Sequence, residues 1–109
     1  MDAAEQLLRR LALNDEKSLG IVLATGSGPG LHVALAPKVD LLVRLGALVA
    51  VGAATTSLRR TVELALEAGA TDAEIVGVLV AVGPAVGLAR VVATAPKLAR
   101  AIGYDVDDE

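Results

Sequence analysis

The sequence predicts an all-α fold: a single-domain bundle of about six helices over residues 1–109 that assembles into a homo-oligomer. Apolar residues recur at helical spacing along most of the chain, and no segment alternates as a strand would. Hydrophobic residues make up 54% of the sequence, but Tyr104 is the only aromatic, so aliphatic side chains must form the core. The mean hydropathy of +0.61 is high for a small monomer. We therefore expect some apolar surface to be buried between copies of the chain.

The first two predicted helices are short. In the first, over residues 2–13, leucines lie on one side, while Glu5 and Arg9 are spaced for an ion pair on the other. Asn14 and Asp15 interrupt this helix, and Asp15 can cap a second helix over residues 15–24. The segment "TGSGPG" follows at residues 25–30. We interpret it as a flexible loop rather than a phosphate-binding loop, because the glycine spacing of a dinucleotide fingerprint is not met.

A third helix is predicted over residues 38–52 and a fourth up to Ala68. Pro37 suits the first turn of the third helix, and Thr55 or Thr56 can cap the fourth. Gly69 follows the fourth helix at the C′ position, where the backbone is often left-handed and glycine is favoured. The residues expected to face inward are Leu41, Leu42, Leu45, Leu48 and Val49 in the third helix, and Leu58, Val62, Ala65 and Leu66 in the fourth.

The fifth helix has the clearest start signal in the sequence. Thr71 and Glu74 form a capping box, Thr-Asp-Ala-Glu, directly before an apolar run. Pro84 is predicted to begin or kink a sixth helix over residues 84–94, and Pro96 to separate it from a last segment over residues 96–102. The acidic end "DVDDE", residues 105–109, is expected to be a solvated tail.

Composition also excludes several classes of partner and cofactor. The net charge is −3, and the basic residues are scattered without aromatics between them, so nucleic acid is not expected to bind. Without cysteine the chain has no disulfide, thiolate nucleophile or thiolate metal site. The uncharged run at residues 75–89 is shorter than the roughly 20 residues that cross a bilayer. We expect a cytoplasmic protein with no cofactor, no metal and no contact with membranes.

The central part of the chain is similar to a known family. It reads "LVRLGALVAVGA" at residues 42–53 and "SLRRTVELALEAGATDAEIVGVLVAVGPAVGLARV" at residues 57–91. These stretches resemble the carboxymuconolactone decarboxylase family, which includes the alkylhydroperoxidase D proteins. The similarity covers about residues 37–91, half of the chain, and its most specific part is the junction at residues 65–75. The resemblance implies an all-helical fold that assembles into trimers or hexamers.

The reactive residues of that family are missing here. In the peroxidase branch, the resemblance places two cysteines at Ala54 and Ser57, a histidine at Thr61 and a proton-relay glutamate near Leu42. The decarboxylase branch has a histidine at the Thr61 position. Threonine does not replace a general base, because its hydroxyl does not titrate near neutral pH. We therefore expect a degenerate active site and no thiol peroxidase activity.

Four residues are candidates for binding a ligand: Ser57, Arg60, Thr61 and His32. The first three belong to the start of the fourth helix, where hydroxyls, free N–H groups and an arginine suit a carboxylate. The alternative is that the hydroxyls cap the helix while Arg59 and Glu63 form a surface pair. His32, the only histidine, is either a surface residue or a base contributed across a subunit interface.

The sequence also suggests roles for Arg90 and for two glycines within the predicted helices. Arg90 either pairs with a carboxylate at an interface or binds a substrate. Gly46 and Gly83 are expected to permit close helix packing rather than ligand access.

Three functions remain open from the sequence. The first is a non-catalytic or divergent oligomer that binds a small apolar or carboxylated ligand. The second is an active lyase related to the lactone decarboxylases, which uses His32, Arg59 or Arg60 from a neighbouring subunit. The third is a structural or regulatory partner of an active paralogue.

Overall fold

The computed structural model describes residues 2–24 and 33–105. These residues contain six α-helices and no strand, which confirms the all-helical class. The helices are α1 (Ala3–Ala12), α2 (Glu16–Leu23), α3 (Pro37–Val51), α4 (Thr55–Glu67), α5 (Asp72–Val86) and α6 (Leu88–Ile102). The loop at residues 25–30, His32 and the tail from residue 106 lie outside the described residues. None of the helices in the described ranges has the length and hydropathy needed to cross a membrane.

The chain divides into two compact units, Met1–Leu35 and Ala36–Glu109. The first contains α1 and α2, and it confirms the predicted Asp15 cap of α2 and the Glu5–Arg9 ion pair, and adds an Asp2 cap of α1. The Asp2 carboxylate accepts a hydrogen bond from the Glu5 amide at 2.8 Å, and Arg9 lies 3.3 Å from Glu5. Asp15 accepts hydrogen bonds from the hydroxyl and amide of Ser18, which lower the pKa of its carboxyl group. A single domain over residues 1–109 stays a prediction.

The second unit has a small aliphatic core to which α3, α4, α5 and α6 all contribute. Its buried hydrophobic residues are Leu45, Val49, Leu58, Val62, Ala65, Ala70, Ile75 and Leu98. The remaining residues predicted to face inward from α3 and α4 pack around them: Leu41, Leu42, Leu48 and Leu66. The helical periodicity of the sequence therefore identified the inner faces of both helices correctly.

The junction between α4 and α5 follows the prediction in detail. Gly69, with φ of 99°, adopts the left-handed conformation after α4. The amide of Ala70 donates to the Ala65 carbonyl at 2.9 Å, and that of Gly69 donates to Leu66 at 3.0 Å. This pair of hydrogen bonds is a Schellman motif, which satisfies carbonyls at the end of the helix. The Thr71 capping box then begins α5, with both reciprocal hydrogen bonds present.

The prolines do not divide the chain as predicted. Pro84 lies inside α5, which ends at Val86 because Gly87 has a φ of 91°. Pro96 lies inside α6, which is continuous from Leu88 to Ile102. A proline inside a helix removes one backbone N–H and crowds the carbonyl four residues earlier, but α6 buries Thr94 before Pro96 and Leu98 after it. This burial on both sides of Pro96 favours one helix over two.

Helices α3 and α5 pack side by side and run in the same direction. Near their starts, Lys38 Nζ lies 3.1 Å from Glu74 Oε2. Further along, a methyl group added at Gly46 would lie 3.2 Å from Val82 Cγ1 and 3.6 Å from Val78 Cγ1. The shorter of these two distances is tighter than usual for a side-chain carbon. Gly46 therefore permits the close approach of α3 and α5 that the sequence predicted.

Candidate functional site

The candidate site lies between α3 and α4, which a short turn connects. Gly52, with φ of 69°, ends α3, and the amide of Ala53 donates to the Leu48 carbonyl at 3.0 Å. Ala54 is the residue before the first turn of α4, and its carbonyl accepts from the amides of Ser57 and Leu58. The turn thus brings the polar start of α4 beside the last turns of α3.

The predicted cap of α4 is wrong. Neither Thr55 nor Thr56 caps the helix; Ala54 takes that position without any side-chain hydrogen bond. The left-handed Gly52 ends α3 shortly before α4, and the observed cap lies one residue before Thr55, the nearer of the two expected caps. As a consequence, Thr55 and Thr56 lie within the first turn, and their side chains are exposed on the helix surface.

A groove with a volume of about 600 Å³ runs between α3 and α4. It is lined by Arg44, Ala47, Leu48, Thr56, Ser57, Arg60 and Thr61. The volume is within the range of small-molecule sites in proteins. Three of the four predicted site residues, Ser57, Arg60 and Thr61, therefore lie together in one groove.

The charged groups among the described lining residues are two arginines, one from each helix. Arg44 Nε donates to Asp40 Oδ2 at 2.7 Å, which orients the guanidinium and leaves its other N–H groups available. Arg60 lies 3.6 Å from Glu63, which is too long for a hydrogen bond. The predicted pairing of Glu63 with Arg59 is thus wrong, because the i,i+3 neighbour takes its place. Within residues 2–24 and 33–105, no carboxylate lines the groove itself.

The remaining lining is of two chemical kinds. Thr56, Ser57 and Thr61 contribute hydroxyls, which donate or accept hydrogen bonds. Ala47 and Leu48 form an apolar wall on α3. Among the described residues, the lining contains no histidine, carboxylate, lysine or tyrosine that would serve as a general base for these hydroxyls. Its chemistry suits binding of an anion with an apolar part better than proton transfer.

The sequence missed Arg44 as a site residue. The i,i+4 spacing of Asp40 and Arg44 in the sequence predicts only that the two share a helix face, and their ion pair confirms that face. One signal was available, since Arg44, Ala47 and Leu48 follow i, i+3, i+4 spacing and lie on the same side of α3. Which helix covers that side is decided by packing, so the spacing alone did not connect Arg44 with Arg60.

Two other conspicuous residues lie outside the groove. Arg90 is exposed, and its guanidinium rests against Gly52 at the end of α3, where a side chain on that glycine would collide with it. Tyr104 is 48% exposed after the end of α6. The candidate His32 lies outside the described residues, so its relation to the groove stays a prediction.

The described ranges contain no cluster of three or more histidine, cysteine, aspartate or glutamate side chains arranged to hold a metal ion. Comparison with known proteins gives no family: no family model matches the chain, no curated protein matches it, and no solved structure matches it.

Proposed function

We propose that the protein binds a small monocarboxylate with an apolar body in the groove between α3 and α4. The single observation that carries this proposal is the composition of the lining, in which Arg44 and Arg60 lie with three hydroxyls and an apolar wall. A guanidinium and hydroxyls are suited to a carboxylate, and Ala47 and Leu48 are suited to the rest of the molecule.

The charges of the groove favour a ligand with one negative charge. Arg44 is already paired with Asp40, whereas Arg60 contacts Glu63 only at 3.6 Å. The guanidinium of Arg60 is therefore the one that is more easily redirected toward a ligand. Arg44 is held in place by its hydrogen bond, so it supplies a preorganised second donor.

The family resemblance supports the same groove. Ser57 and Thr61 occupy the positions where relatives of the peroxidase branch carry a cysteine and a histidine, and both line this groove. We interpret the protein as a divergent, non-catalytic member of the carboxymuconolactone decarboxylase family. In this interpretation the binding site is retained while the sulfur and imidazole groups have been replaced by hydroxyls.

A titration with benzoate tests the proposal. Benzoate combines one carboxylate with an apolar ring, and benzamide provides an uncharged control of the same shape. In amide NMR spectra, we expect benzoate to shift the signals of α3 and the start of α4, and benzamide to have a much smaller effect. Shifts scattered over the whole surface would contradict the proposal.

Neighbouring arginines of α4 offer a matched pair of variants. Arg60 lines the groove and Arg59 does not, yet each substitution by glutamine removes the same charge. We expect Arg60→Gln to weaken benzoate binding by about 10- to 100-fold, the range for loss of a charge-assisted hydrogen bond. Arg59→Gln should change it by about twofold or less. Equal effects of the two variants would indicate nonspecific attraction rather than a site.

A further inference from the structure

The groove between α3 and α4 has two chemically different ends. Residues 52–54 connect the two helices, which pack against each other, so they run in roughly opposite directions. Lining residues at similar distances from this turn therefore lie opposite one another. We name the two ends by their members: the turn end, nearer the turn, has Leu48, Thr56 and Ser57, and the far end has Arg44, Arg60 and Thr61.

Both guanidinium groups belong to the far end, because their partners lie still further from the turn. Arg44 Nε donates to Asp40 Oδ2 at 2.7 Å, and Asp40 precedes Arg44 by about one helical turn. Arg60 Nη1 lies 3.6 Å from Glu63 Oε2, and Glu63 follows Arg60 along α4. Each carboxylate thus attracts its arginine away from the turn. The positive charge of the described lining is therefore concentrated at the far end.

The turn end is uncharged but polar. Ala54 takes the cap position of α4, so the hydroxyls of Thr56 and Ser57 are not used as helix caps. Within the part of the chain that the structure describes, neither hydroxyl has a hydrogen-bond partner in the protein. Both residues are exposed, and Leu48 gives the same end an apolar surface. The turn end therefore offers hydrogen-bond donors and acceptors without a formal charge.

We infer that the ligand lies lengthwise in the groove, with its carboxylate at the far end and a neutral hydroxyl group at the turn end. The inference names the class of ligand for this groove, so it rests on the proposed function. A hydroxyl both donates and accepts hydrogen bonds, as the side chains of Thr56 and Ser57 do. An ammonium or a second carboxylate would find no oppositely charged side chain among the described lining residues of the turn end.

The length of the groove limits the distance between the two polar groups of the ligand. Thr56 and Arg60 are four residues apart on α4, which corresponds to a rise of about 6 Å. The guanidinium of Arg60 extends further, toward Glu63. A ligand in which one ring separates the carboxylate from the hydroxyl group suits this spacing, and the ring would lie against Ala47 and Leu48.

Two substituted benzoates of equal size test the ligand class. The compounds para-(hydroxymethyl)benzoate and para-ethylbenzoate have the same number of non-hydrogen atoms, and the first has a hydroxyl where the second has a methyl group. Amide NMR titrations give both dissociation constants. We expect the hydroxymethyl compound to bind about 3- to 10-fold more tightly, the range for one neutral hydrogen bond.

Three threonines of α4 distinguish the two ends of the groove by the same substitution. Thr56→Val should reduce the preference for the hydroxymethyl compound, and Ser57→Ala combined with it should abolish the preference. Thr61→Val, at the far end, should weaken the binding of both compounds to the same degree and leave the preference unchanged. Thr55→Val, at an exposed position outside the groove lining, is the control and should change neither dissociation constant.

The outcomes separate this inference from the proposed function. A hydroxymethyl compound that binds the native protein no more tightly than the ethyl compound would overturn the inference and leave the carboxylate site in place. So would a preference that survives the loss of both hydroxyls at the turn end. A preference that disappears in Thr61→Val instead would reverse the assigned orientation and also contradict the inference.

If neither benzoate nor the two compounds shift the amide signals of α3 and α4, the proposed function fails and the inference fails with it. Circular dichroism establishes that each variant is folded.

Discussion

The two sides of α3 serve different purposes in the same unit. On one side, Gly46 allows α5 to pack so closely that an added methyl group would lie 3.2 Å from Val82. On the other side, Arg44 and Ala47 leave a groove of about 600 Å³ against α4. The α5-facing side of α3 is tightly packed and uncharged around Gly46, whereas its α4-facing side is open and polar around Arg44.

This difference shows how a small aliphatic core can support a site. Leu45 and Val49, between the two sides, are fully buried and anchor the helix. Because the core and the α5 contact hold α3 in place, the α4 side does not need to be filled for the unit to be stable. The comparison predicts that substitutions in the centre and on the α5 side affect stability, while those on the α4 side affect binding.

The largest effect on stability is expected at the centre of α3. Leu45 is fully buried, so Leu45→Ala leaves a cavity and should reduce the free energy of unfolding by about 3 kcal/mol. Val51→Ala, at a position that is 73% exposed on the same helix, should change it by less than about 0.5 kcal/mol. Urea unfolding at one protein concentration measures both. Equal losses for the two variants would show that α3 is not anchored at Leu45.

Adjacent substitutions compare the two sides directly. Gly46→Leu forces a side chain against Val78 and Val82 and should cost about 1–3 kcal/mol of stability. Ala47→Leu places the same side chain on the exposed, groove-lining side and should cost less than about 0.5 kcal/mol. The second variant should instead weaken benzoate binding, because the new side chain occupies the groove. The comparison is wrong if Ala47→Leu destabilises as much as Gly46→Leu.

A smaller effect is expected from pH at the start of α5. The amide of Thr71 and the ammonium of Lys38 donate hydrogen bonds to Glu74 and lower the pKa of its carboxyl group below the ordinary value of 4.5. A lowered pKa in the folded state means that this stabilisation is present above pH 4.5 and is lost as pH falls through the folded value.

Unfolding midpoints measured from pH 6 to pH 3 test this prediction. Glu74→Gln keeps an oxygen that accepts the Thr71 amide but removes the titration, so the variant should lose less stability on acidification than the native protein. An identical decline in both proteins would assign the acid sensitivity to other carboxylates.

Sequence patterns predicted the helices best where the signals were local. The α4–α5 junction needs only a glycine with positive φ and a capping box, and both are present as expected. The start of α4 and the course of α6 were predicted less well. At α4 the turn at Gly52 decided the first helical residue, and at α6 the burial of Leu98 outweighed the helix-breaking tendency of Pro96.

By itself, the sequence determined the helical class, the inner faces of α3 and α4, and the polar residues at the start of α4. These features depend on periodicity and on hydrogen bonds between residues close in the chain. Only the tertiary structure decided that Arg44 joins Ser57, Arg60 and Thr61 in one groove, and that the outer side of α5 remains exposed. The physical reason is that helical spacing specifies which residues share a face, whereas the packing of whole helices specifies what that face meets.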